Sequence, residues 1–243
     1  MPTLRAYECE RADHDRRCRD DVMARLETAP RPHEAARNAV LSACEDAVHG
    51  CRMVGFHCTR LTDGERIAVE RDGLRPLSPE LFETRVAAAL ADGLIDRAVA
   101  DAVLCRNGCR DENRAGRVWF VFRSWHLTEE SGVGRFFSYW GGEALYGWHE
   151  ADAAVGYALR TVGVPCIVEA TLPAAGIRTI GTVGERVMRI FLTARGIRTG
   201  SGDDMDGYVR DLVPGSDILR VIPLGHPDFA RLTGCGGWRA PPA

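Results

Sequence analysis

Near residue 116 the amino-acid sequence changes texture. Upstream, apolar residues recur at helical spacing, as in Ala35, Ala39, Val40, Ala43 and Ala47, or in the run LSPELFETRVAAALADGLIDRAVADAVL. Downstream, short apolar or aromatic runs (RVWFVF, GRFFSYW, PCIVEATLP, MRIFLTA, DILRVIPL) are separated by Gly and Pro, the pattern of strands. The two textures together predict an α+β chain whose second half is mainly β. No segment repeats at a fixed period, which excludes solenoids and propellers.

Punctuation refines this division. A break at Pro30-Arg31-Pro32 precedes a helix reaching about Cys51, so residues 1–51 read as a helical N-terminal extension. MVGFHCT is β-compatible. Thr62 and Glu65 then have the spacing of a capping box, starting a helix that ends at Gly73. Ser78 followed by Pro79 starts the next helix, and Gly93 breaks it. CRNGCRDENRAG is a polar loop, and residues 229–243, ending GCGGWRAPPA, read as a flexible tail.

Charge and cysteines remove several classes. A net charge of −3 argues against a sequence-blind nucleic-acid binder, which needs surplus positive charge. The chain has no Lys, so Schiff-base and Lys-nucleophile mechanisms are excluded. Nine cysteines without regular spacing read as reduced, mostly buried thiols. Cys105 and Cys109 are the one close pair, and no second pair with ligand spacing accompanies them, so no metal is expected. No run approaches a membrane span and no signal peptide is apparent; a cytoplasmic protein without a membrane partner is expected.

Two segments carry chemistry. Phe56-His57-Cys58-Thr59-Arg60 places a histidine in a strand, and YGWHEADAAVGY separates Tyr146 from Tyr157 by ten residues around a small-residue helix, Ala151 to Ala158. Two phenol rings can sandwich a flat cationic heterocycle at about 0.5–2 kcal/mol per contact, and NAD⁺ carries such a ring. Tyr139, Trp140 and Trp148 read as core, Ser138 as solvent-facing, Glu143 as a secondary acid and Glu169 as an outward strand residue.

With the order of elements, these segments resemble the ADP-ribosyltransferase family, in particular its diphtheria-toxin-like class marked by His, Tyr and an acidic residue. FHCTR, continued to Gly73-Leu74, is similar to the first motif of that class, with Cys58 where the family has Gly. The resemblance implies a split β-sandwich over residues 52–228. It also implies NAD as a substrate, bound by His57, Cys58, Thr59, Arg60, Tyr146 and Tyr157, with Arg60 and Arg75 as phosphate partners. The two tyrosines would stack on nicotinamide, and His57 would hold the adenine-side ribose.

The family's third motif places a Glu at the start of a late strand; DGYVRDLVPGSDILRVIPL has the outline without the Glu. Asp206 stands there, with Asp211 and Asp217 behind it, so the implied catalytic set is Asp206, His57 and Tyr146. The carboxylate would stabilise an oxocarbenium-like ribose as nicotinamide leaves. The implied activity is transfer of ADP-ribose to an acceptor (protein, nucleic acid or small molecule) or NAD hydrolysis. The rivals are a catalytically silent NAD or ADP-ribose sensor, an RNA 2′-phosphotransferase of related fold relying on Arg and His, and a zinc-stabilised interaction module built on Cys105 and Cys109.

Overall fold

The computed structural model describes residues 34–196 and 205–242, together with positions 5, 6, 9, 10, 13, 16, 17 and 19. In chain order the helices are α1 Glu34–His49, α2 Asp63–Asp72, α3 Pro79–Ala91, α4 Arg97–Cys105 and α5 Glu130–Ser138. They continue with α6 Glu143–His149, α7 Ala153–Thr161, α8 Val183–Thr193 and α9 Pro227–Thr233. The strands are β1 Arg52–Leu61, β2 Val118–Val121, β3 Val164–Pro173, β4 Asp206–Val209 and β5 Ile218–Pro223. Among the described residues, no helix is long and apolar enough to cross a membrane.

The chain forms two compact units, residues 1–51 with 179–205, and residues 52–178 with 206–243. The sequence boundary at 51/52 is therefore a unit boundary, but the expected domain 52–228 is interrupted. In the smaller unit α1 and α8 pack through Val40 and Leu41 against Met188 and Leu192. The Glu45 carboxylate accepts a hydrogen bond from the Gly184 N–H at 2.6 Å, in the first turn of α8, where an anion is favoured. Arg37 and Arg189 both reach Glu185, at 3.5 and 2.7 Å.

In the larger unit the strands form one antiparallel sheet in the order β4-β2-β1-β3-β5. β1 and β3 pair over ten residues, from Arg52↔Pro173 to Leu61↔Val164. β1 and β2 pair at Phe56↔Val121 alone, whereas β2 and β4 pair over four residues. The expected sandwich is thus a single sheet among the described residues. It divides into a three-stranded leaf (β1, β3, β5) and a two-stranded leaf (β2, β4) whose backbones are in register at one residue pair.

Local signals set the helices around the sheet. Thr62 Oγ1 accepts from the Glu65 N–H at 3.2 Å and the Glu65 carboxylate from the Thr62 N–H at 2.8 Å, the expected capping box. Ser78 Oγ accepts from the Leu81 N–H with Pro79 behind it, and Gly93, at φ +70°, separates α3 from α4. Phe82, Val86, Val103, Trp140, Leu145 and Leu159 form one apolar cluster, and Leu127, Phe137, Ile167, Ile222 and Phe229 another.

Three expectations are corrected. GRFFSYW lies mostly in α5 and MRIFLTA mostly in α8, because their buried positions, Val133 with Phe137 and Met188 with Leu192, are four residues apart and share a helix face. The segment 229–243, expected as a flexible tail, packs: Phe229 is fully buried edge-on to Phe137, and Trp238 stacks on the same ring. The Glu130 carboxylate accepts from the N–H groups of Arg239 and Ala240, holding the chain beyond α9 in place.

The turn from α7 into β3 depends on Gly163, at φ +64°, where an added Cβ would lie 2.5 Å from the Leu61 carbonyl. Gly163→Ala is expected to cost about 3 kcal/mol through backbone strain and overlap together, read as a lower urea midpoint.

Candidate functional site

Side chains alternate across a strand, so cross-strand partners share a sheet face. His57 lies opposite Val168, and Thr59 opposite Cys166; Phe120 joins this face, its ring 5.9 Å from the imidazole. Phe56 and Cys58 point to the other face, into the cluster of Phe137, Ile167 and Phe229.

His57 sits where β1 and β2 part. Its Nδ1 lies 2.8 Å from the Trp119 carbonyl, which faces β1. A carbonyl only accepts, so Nδ1 carries the proton, leaving Nε2 as an acceptor. The ring is half-buried. Burial holds the imidazole below the ordinary histidine range; the Trp119 bond pulls back and the positive Arg85 pushes further down. The site therefore presents a neutral, oriented histidine at neutral pH.

Arg85 itself belongs to a group the sequence did not reveal. Arg85 Nε donates to Glu65 at 2.6 Å, and its guanidinium lies over the Trp140 ring, 5.0 Å from the centroid. Trp140 Nε1 donates to the other Glu65 oxygen at 3.1 Å. Burial alone would raise the Glu65 pKa, but the charge and hydrogen bond of Arg85, with the N–H groups of Thr62 and Trp140, bring it below the usual range. Glu65 is a fixed anion whose oxygens are occupied. One of 31 basic residues, all Arg, Arg85 has no local motif to single it out.

The other expected residues do not assemble here. Asp206 is exposed and pairs with Val121, which pairs with Phe56, so its side chain belongs to the face opposite His57. Cys58 shares that opposite face, its thiol pushed strongly upward by burial. Arg60 is 3% exposed and donates to the carbonyls of Phe137, Val162 and Gly163, so it braces the backbone instead of binding phosphate. Arg75 is exposed at the surface. Thr59 keeps to the His57 face but is buried, with its hydroxyl 3.4 Å from the Arg60 carbonyl.

The tyrosines are corrected too. Tyr146 is in α6. It is 8% exposed and surrounded by Phe136, Tyr139 and the Arg135 guanidinium. Burial first, and Glu143 second, push its phenol up to about 12. Tyr157 is on α7 with 70% of its surface exposed, because Val155, Gly156 and Leu159 take the inward face. A buried ring with occupied neighbours and an exposed one do not form a sandwich.

Tyr139 and Trp140 are core as expected, while Trp148 is 47% exposed under Arg106. Ser138 is half-buried and donates to the Gly134 carbonyl. Glu143, Glu169 and Asp217 are each paired with an arginine: Arg114, Arg220 and Arg52. Among the described residues, no group of three or more His, Cys, Asp or Glu is placed to hold a metal.

Two predictions follow from this placement. If the expected NAD is bound on the His57 face, Asp206→Asn changes its binding less than twofold, measured by calorimetry, since the Asp206 side chain is on the far face. The His57 pKa is lower folded than unfolded, so the unfolded state takes up the proton first. Stability is then full above about pH 6.5, the ordinary histidine value, and falls as the pH drops below it. That arm of the pH profile is expected to disappear in His57→Gln, as read by denaturation at several pH values.

Compared with known proteins, the chain matches no family model, no curated protein and no solved structure.

Proposed function

We propose that this chain binds NAD at the parting of β1 and β2 and transfers its ADP-ribose to an acceptor, releasing nicotinamide, on an ADP-ribosyltransferase-like fold. The observation that carries the reading is His57: a neutral imidazole, oriented by the Trp119 carbonyl, whose Nε2 can accept from a ribose hydroxyl. In that reaction the acceptor attacks the anomeric carbon, the bond to the nicotinamide nitrogen breaks, and nicotinamide leaves with the bonding pair.

The second reading is a silent NAD or ADP-ribose sensor, and it is favoured by a specific observation: Asp206 lies on the face opposite His57. An RNA 2′-phosphotransferase relies on Arg and His, not on a tyrosine pair, so 2′-phosphorylated RNA belongs among the acceptors tested.

The deciding experiment measures nicotinamide release and NAD binding on purified protein, with and without acceptors. Release supports the transferase. Binding without release supports the sensor, and neither would end both readings.

A further inference from the structure

One face of the two-stranded leaf is both basic and aromatic. Register puts Trp119 opposite Tyr208, and the parity that pairs Val121 with Phe56 sets both rings on the sheet face opposite His57. On the outer side of β4, Arg178 bridges to Tyr208 and so joins the same row. The two rings lie 4.9 Å apart; the Arg117 guanidinium is 4.2 Å from the Tyr208 centroid and 5.8 Å from that of Trp119, and Arg210 is 5.8 Å from Tyr208. Trp119 Nε1 donates to the Asn113 carbonyl at 3.2 Å, which fixes the indole and satisfies its polar atom while 38% of the residue stays exposed. Arg178 and Arg210 are exposed as well. Among the described residues neither they nor Arg117 is paired with a carboxylate, whereas Arg52, Arg85, Arg114 and Arg220 each are. A single exposed Trp is ordinary. Cations gathered around a fixed indole without a counter-charge repel one another, and together they call for an anion that has a flat face.

We infer that the Trp119–Tyr208 face is a docking surface for single-stranded nucleic acid. A base stacks on the Trp119 indole, and Arg117, Arg178 and Arg210 hold the phosphates beside it. An unpaired strand supplies a flat ring and a negative charge at every nucleotide, whereas a duplex hides its ring faces and an acidic peptide has none. Asp206, on the same face opposite Val121, is the one carboxylate of β2 and β4, and it biases the phosphates toward the arginine end. The net charge of −3 tells against binding over the whole surface; within a screening length of about 8–10 Å, the charges of this face decide. The surface does not depend on NAD binding at His57, on the other side of the sheet.

The probe is a fluorescein-labelled strand of about 10 thymidines, titrated at several salt concentrations and read by fluorescence anisotropy, with circular dichroism as the check on folding. The competitors are the unlabelled strand, its duplex with adenines, a strand of equal length without bases, and thymidine monophosphate. The strand is expected to bind wild type, more weakly as salt rises, and to be displaced best by its unlabelled copy. Trp119→Ala should lose about tenfold in affinity with the salt slope kept, and Trp119→Phe should recover part of that loss. Arg210→Gln should lose about threefold and lower the slope by about 0.7. The inference is overturned if wild type does not bind the strand, or if a folded Trp119→Ala binds it as wild type does. Displacement by the duplex, the baseless strand or the mononucleotide as readily as by the unlabelled strand overturns it too. If Trp119→Ala does not fold, photocrosslinking of a 4-thiothymidine strand to wild type decides: a cross-link at Trp119 or Tyr208 supports the surface, and one elsewhere or none overturns it.

Discussion

On the transferase reading, nicotinamide release is expected to fall about a hundredfold in His57→Ala, and NAD affinity about fivefold. On that reading the two effects differ because His57 does two things. Nε2 offers one hydrogen bond to the ligand, worth about 1 kcal/mol net, which sets the loss in binding. The imidazole also bridges β1 to the Trp119 carbonyl at the point where the leaves part, with Phe56↔Val121 as the one pair beside it. Alanine frees that edge, and a reacting sugar displaced by ~1 Å accounts for the larger loss in rate. Release and binding measured on the same samples give both values. Unchanged release would remove His57 from the chemistry.

Arg60→Met is expected to destabilise the larger unit by about 3–5 kcal/mol, enough to unfold much of the population. Methionine keeps much of the length but removes three donors. The carbonyls of Val162, Phe137 and Gly163, now bonded at 3.1, 3.0 and 2.7 Å, would lose these partners in a buried site. These carbonyls tie the end of α5 and the α7–β3 turn to β1, so the loss falls on the connection between helices and sheet. Urea denaturation followed by circular dichroism reads it. A stable Arg60→Met that had lost nucleotide binding would return Arg60 to the ligand role that FHCTR suggested.

The contrast between these two residues of one motif shows what the sequence could tell. Features within one turn or one strand were legible: the Thr62–Glu65 capping box, Ser78-Pro79, Gly93, and PCIVEATLP as β3. Short aromatic runs were not. Phe136 and Phe137 are adjacent in α5, and in α8 the buried pair Met188 and Leu192 is interrupted by Phe191, 39% exposed. Over six or seven residues such a pattern suits either period.

The site was harder still. His57 stood out because FHCTR resembles a family motif and two tyrosines follow at the family's spacing, but which residues share its face depends on register. Asp206 fails by that parity, set by Val121 and Phe56 more than eighty residues earlier in the chain. Tyr157 fails because its helix turns Val155 and Leu159 inward. Arg85 became visible only once Glu65 and Trp140 had occupied one edge and one face of its guanidinium.

The interruption of the larger unit between Arg178 and Asp206 has its own logic. Arg178 and Tyr208 exchange both backbone hydrogen bonds, at 2.8 and 2.9 Å, so the chain leaves and re-enters the sheet through neighbouring positions, like the two sides of a closed buttonhole. Whatever is threaded there need only begin and end at the same place. The segment that carries α8, to which α1 is tied through Glu45 and Gly184, thus joins the sheet at one place and could be lengthened, replaced or discarded while the Arg178–Tyr208 pair is kept.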